Sequence, residues 1–245
     1  MGSVPEAVAS PSSTLGFLPR LIGVIRCPRT TLRAVAVSPR WVGLVAVLVV
    51  LTAASQALLF QTEVGQVALV DQWERTALAF GQDVDDARYM QFQALSQKGP
   101  FYGIALAVAT GPVLTLVVAG VIFAMFRSRA DRVVSFSQVM AVVAHTSVIL
   151  AIGQLVAAPV SFMREATGGA TSLGLWFPAL DAASPLGRFV GVLDVFVIWW
   201  IVLLAIGVAV LYGRQARTLA AGFLGVYAGV AVLLAVTMTA LGGVA

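Results

Sequence analysis

Five long apolar runs, Trp41–Phe60, Phe101–Phe126, Phe136–Phe162, Val190–Leu211 and Thr218–Leu241, constrain this chain more than anything else in it. Each holds 20 to 27 residues. An α-helix rises about 1.5 Å per residue, so some 20 residues cross a hydrocarbon core about 30 Å thick, and every run is long enough to span. Lipid offers the backbone no hydrogen-bond partner, which leaves the helix as the form such runs take. The fold expected is all-α: a polytopic membrane bundle of five transmembrane helices forming one domain over 41–245. Composition agrees, since 60% of the 245 residues are apolar and 11% are charged, against about 25% charged in an average soluble domain.

Outside the runs, 1–14 is rich in Ser, Pro and Ala and lacks the basic start and apolar core of a secretory signal, so it reads as a disordered lead. Residues 15–40 mix apolar and arginine positions. Leu18, Leu21, Ile22 and Ile25 share a helical face, and Pro28 and Pro39 divide the segment into short helices. These are expected to lie in the membrane interface, with Arg20, Arg26, Arg29, Arg33 and Arg40 facing anionic lipid, each contributing about 1 kcal/mol. The first loop beyond the membrane, 61–100, reads as two more interfacial helices, Thr62–Phe80 and Val84–Gln97, parted at Gly81, with Asp83 as N-cap of the second.

Loop charges give a direction. With the N-terminus inside, the inner segments 1–40, 127–135 and 212–217 carry ten arginines, and the outer segments carry Arg75, Arg88, Lys98, Arg164 and Arg188. Basic residues favour the cytoplasmic side, so the N-terminus is expected in the cytoplasm and Ala245 outside. The basic residues form no single stripe, which argues against a nucleic-acid partner and leaves the bilayer and other membrane proteins.

Chemistry is sparse. None of the spacings H-E-x-x-H, G-x-S-x-G, G-x-G-x-x-G or the P-loop occurs. His145 is the single histidine and Cys27 the single cysteine, which excludes a histidine pair for a metal and an internal disulfide. No cofactor and no catalytic residue is expected. Ionisable groups inside a membrane are costly and mark sites, and here they are Asp194, near the start of the fourth run, and His145 in the third. Asp194 is expected to sit where its charge suits a helix N-terminus, and His145 to bond between helices. Gln154 joins them as a polar group that could line a path. Ser147, Gln154 and Ser161 lie on one face of the third run and Gln138 and His145 on another, which makes that helix central. Pro112 is expected to kink the second run, its missing bond replaced by Thr110, Thr115 or a neighbour. Gly225 and Gly229 form a G-x-x-x-G pattern, expected to pack closely within the chain.

Three stretches, Arg26-Cys27-Pro28-Arg29-Thr30-Thr31-Leu32 with Ser38-Pro39, Phe136-Ser137-Gln138-Val139 through Ala144-His145-Thr146-Ser147, and Leu193-Asp194-Val195-Phe196-Val197-Ile198-Trp199 running into Leu203-Leu204-Ala205-Ile206-Gly207, resemble the Yip family of five-span membrane proteins, in its bacterial branch. The resemblance covers about 20 to 240. It implies five helices, a cytoplasmic N-terminus and a bacterial inner-membrane location. It also implies a non-enzymatic role as a scaffold or accessory subunit, in export or trafficking-like complexes that include ABC-type exporters, with oligomers as one form. In that reading Asp194, Trp199 and Gly207 hold the bundle together. The rival expectation is a small proton, ion or solute transporter built on Asp194, His145 and Gln154.

Overall fold

The computed structural model describes residues 16–127, 133–166 and 169–242, so the expected lead 1–14 lies outside it. Among the described residues five helices are long and apolar enough to cross a membrane: Val42–Phe60, Gly99–Phe126, Phe136–Arg164, Val195–Tyr212 and Ala216–Ala240. The molecule is an all-helical polytopic membrane bundle with additional N-terminal helices. The third span is the most buried, at 67% of its most apolar window against 6% for the first and 11% for the fifth, which makes it the central helix that its two polar faces predicted.

Helix boundaries follow local chemistry. Helices α1 (Phe17–Arg26) and α2 (Pro28–Val37) are separated where Pro28 supplies an N-terminal residue without an N–H. Then come α3 (Val42–Phe60), α4 (Glu63–Ala79), whose cap Thr62 accepts from Gly65 N at 3.0 Å, and α5 (Asp86–Ser96). The cap of α5 is Asp85, accepting from Arg88 N at 2.8 Å, and not the expected Asp83. Arg88 explains the shift: its guanidinium donates to Asp83 O and Gln82 Oε1, which holds that stretch outside the helix.

Helix α6 (Gly99–Phe126) runs unbroken through Pro112. The Thr110 hydroxyl donates to Leu106 O and that of Thr115 to Gly111 O, so neither replaces the bond that Pro112 cannot make to Val108 O. The third span is two helices, α7 (Phe136–Thr146) and α8 (Val148–Arg164), meeting at Ser147. There the hydroxyls of Thr146 and Ser147 both donate to Val143 O, competing with the backbone for that carbonyl. The fourth run is also divided. Helix α9 (Pro185–Val192) stops, Leu193 and Asp194 are extended, and α10 (Val195–Tyr212) begins, so Asp194 precedes its helix instead of lying four residues inside it. Gly213, at φ +65°, closes α10 before α11 (Ala216–Gly242).

Packing brings the N-terminal helices onto the bundle and turns the glycines of α11 away from it. Helices α1 and α2 fold into an antiparallel hairpin, with Gly23 against Thr31 and Arg20 donating to Ser38 Oγ at 2.7 Å and Ser38 O at 3.2 Å. The hairpin is wedged against α7 and α10. Its Val24 and Leu32 are fully buried beside Ile149 and Leu203, and Leu203 is nine residues in from Tyr212, roughly 14 Å along the helix. The expected apolar face stays outside: Leu18, Ile22 and Ile25 are exposed. In α11 the inward stripe is Leu219, Phe223 and Tyr227, half-buried, and Ala231 and Ala235, buried, at every fourth residue. Gly225 and Gly229 point the other way, with nothing among the described residues within 4 Å of a Cβ built on either, so the expected close packing is not made among them.

Candidate functional site

The site is built at the break between α9 and α10. A helix start leaves amide N–H groups without partners, and Asp194 meets them: its Oδ1 accepts from Phe196 N at 2.7 Å and Val197 N at 3.0 Å. Its Oδ2 accepts from the Thr171 hydroxyl. The N–H of Asp194 donates to Tyr227 Oη at 3.0 Å, and that hydroxyl donates onward to Val192 O at 3.0 Å. Two further bonds, Leu173 N to Leu193 O at 2.7 Å and Val195 N to Thr171 O at 3.1 Å, lay the loop antiparallel along the break, with Ser172 and Asp194 bridged. One carboxylate, one phenol and one loop thus satisfy the polar groups that the interruption frees, as a low-dielectric surround demands.

Around this junction α8 approaches closely, because residue 153 is glycine; a Cβ there would sit 2.8 Å from Phe196 Cγ. At the next residue, Gln154 Oε1 accepts from Gln56 Nε2 of α3 at 3.0 Å. A cavity of about 260 Å³ lies on one side, lined by Thr52, Thr115, Ser147 and Phe196 among others. A second, of about 320 Å³, is lined by Gln56, Gln72, Trp73, Tyr102 and Ser161. Gln154, Thr171 and Asp194 line both, so the polar junction stands between the two spaces. Among the described residues no three His, Cys, Asp or Glu side chains gather as a metal site would require.

Of the residues singled out from sequence, Asp194 and Gln154 are therefore brought together. His145 is not: it is 2% exposed, lines neither cavity, and has its Nδ1 at 2.7 Å from Ala141 O. That contact lies within its own helix, not between helices, because four residues back is the nearest carbonyl a helical side chain meets. Trp199 is 37% exposed beside Phe196, and its neighbour Trp200 packs against two of the core clusters instead. Gly207 does sit where two helices close, since a Cβ would overlap Val142 Cγ1 and meet Leu32 Cδ1 at 3.4 Å. Of the five arginines expected to face lipid, Arg26, Arg29, Arg33 and Arg40 are exposed, whereas Arg20 is turned inward to Ser38 and is 5% exposed. Gln56, Thr171 and Tyr227 were not foreseen. Gln56 could have been, as a polar residue in an apolar run; Thr171 lies in an irregular loop and Tyr227 among apolar neighbours, where nothing local marks them.

A family model described as the Yip1 domain matches residues 22–239 of the chain. No curated protein and no solved structure matches it.

Proposed function

The chain belongs to the Yip1-domain family of membrane proteins, and on that footing we propose that it acts as a scaffold or accessory subunit of a membrane complex of the export or trafficking type. Family membership is consistent with a non-enzymatic multi-pass protein. The observation that carries the scaffold reading is the state of Asp194: its carboxylate accepts three hydrogen bonds from the chain's own donors and holds a helix break together. The group that chemistry or transport would need is occupied by structure. Exposed apolar faces on α3, α6 and α11 supply surface for lipid and for another membrane protein, an ABC-type exporter being the partner class the family resemblance suggests. The bilayer is a bacterial cytoplasmic membrane in this reading, with the N-terminal helices on the cytoplasmic side, supported by the ten-to-five arginine and lysine bias.

Cross-linking in native membranes followed by affinity purification tests the scaffold. A stoichiometric membrane-protein partner is the expected product, and recovery of the chain alone would sink the idea. A second reading, a conduit, is favoured by the two cavities that meet at Gln154, Thr171 and Asp194. It predicts proton, ion or solute flux into proteoliposomes that Asp194→Asn reduces; flux no greater than in empty liposomes removes it.

A further inference from the structure

The largest of these cavities lies elsewhere, between α2, the start of α7 and the end of α10, and measures about 890 Å³. That is the size range of pockets that enclose a small organic ligand, about 300 to 1,000 Å³. Its walls bring together charges that are far apart in sequence. Arg29 and Arg33 come from α2 and Arg214 from the turn after α10, and all three are exposed. Arg29, Arg33 and Val37 recur at every fourth residue, which stacks them on one face of α2 and aligns that face with the cavity. Gln138 fixes this wall: its Nε2 donates to Ala36 O at 2.9 Å while its Oε1 accepts from Ser135 N at 2.9 Å.

Val210, Leu211 and Tyr212 of α10 also line the cavity, with the Tyr212 hydroxyl buried away from it. Guanidinium groups bind phosphate oxygens with paired N–H donors, so the basic side of the cavity suits a phosphate. The rim is apolar. Val37, at the end of α2, and Val133, just before α7, are exposed there, and the third span begins and the fourth ends beside the cavity, the level at which a lipid's headgroup gives way to its acyl chains.

We infer that this cavity is a binding site for the phosphate headgroup of an anionic phospholipid, held by Arg29, Arg33 and Arg214. The site is independent of the scaffold reading and of the Asp194 junction. It requires only that the α2 end of the bundle meet a leaflet.

Native mass spectrometry of the full chain in detergent, supplied with equal phosphatidylglycerol and phosphatidylcholine, tests it. The wild-type chain retains phosphatidylglycerol in preference to phosphatidylcholine. At about 1 kcal/mol for each arginine near an anionic headgroup, replacing Arg29, Arg33 and Arg214 by Gln weakens retention by at least about tenfold. The matched replacement of Arg75, Lys98 and Arg164, exposed basic residues at the opposite end of the bundle that do not line the cavity, leaves it within about twofold, since scattered surface charges add no local site. Arg33→Gln alone removes one of the three guanidinium groups and weakens retention by about fivefold, which keeps the question answerable if the triple variant does not fold. Equal retention by the wild type and either cavity variant overturns the proposal, as does an equal loss in the matched control. Displacement of the lipid by millimolar inorganic phosphate assigns the cavity to a soluble anion and overturns the lipid as its occupant.

Discussion

Asp194 carries three accepted hydrogen bonds and gives a fourth through its own amide, so its substitution is felt at several atoms at once. Alanine removes the cap of α10 and the acceptor for Thr171, and the expected loss is about 2 to 3 kcal/mol from an N-cap and a buried hydrogen bond together. Asparagine keeps one carbonyl oxygen for the cap and loses about half as much. Denaturant unfolding in micelles measures both, and a loss for Asp194→Ala below the asparagine value would contradict the capping account. Thr171→Val belongs to the same network, so the double variant Asp194→Ala, Thr171→Val should fall short of the sum of its parts by at least about 0.5 kcal/mol. Gly207 is the other sensitive position. A side chain there must displace Val142 or Leu32, and Gly207→Val is expected to cost about 1 to 3 kcal/mol, as overpacked interiors do.

Among the elements, α11 separates a sequence pattern from its use. Its glycines repeat at a spacing that lets backbones approach, yet the helix turns Leu219, Phe223, Tyr227, Ala231 and Ala235 to the bundle and leaves Gly225 and Gly229 outside. Gly225→Leu and Gly229→Leu should therefore change the stability of the chain by less than about 0.5 kcal/mol, whereas Ala231→Leu, at a fully buried position, should cost about 1 to 3 kcal/mol. The same denaturant titration decides between them. Beside its apolar packing, helix α2 is tied to α7 by the side chain of Gln138, which also completes the capping box of α7 with Ser135. Gln138→Leu removes both roles, and amide exchange in 28–37 is expected to rise by about tenfold, the equivalent of one hydrogen bond of about 1.4 kcal/mol; exchange that rises no more there than elsewhere would show the hairpin to be held by its apolar contacts alone.

For the whole molecule, the arginine bias predicts which end faces the cytoplasm, and Cys27, the single cysteine, makes the test simple. In a Cys27→Ser background, Gln91→Cys on α5 should react with a membrane-impermeant maleimide on intact cells, and Gln215→Cys between α10 and α11 only after disruption; the reverse pattern would invert the topology. Five spans, their helical form and the centrality of the third were legible in the chain because lipid leaves an apolar run of some 20 residues a single backbone solution, and because polar groups on two faces of one helix need neighbours on both. Asp194 was legible as a helix-start residue for a related reason: a carboxylate in an apolar run finds its nearest donors in free amides. The partners of Asp194 were not, since Thr171 and Tyr227 reach it across 23 and 33 residues of chain. Nor could the sequence place His145, Arg20 or the two glycines of α11, whose periodicity names a face without naming what that face meets. Which face of an apolar helix turns inward is decided by packing, because in lipid both faces are equally at home and only the fit of neighbouring helices distinguishes them.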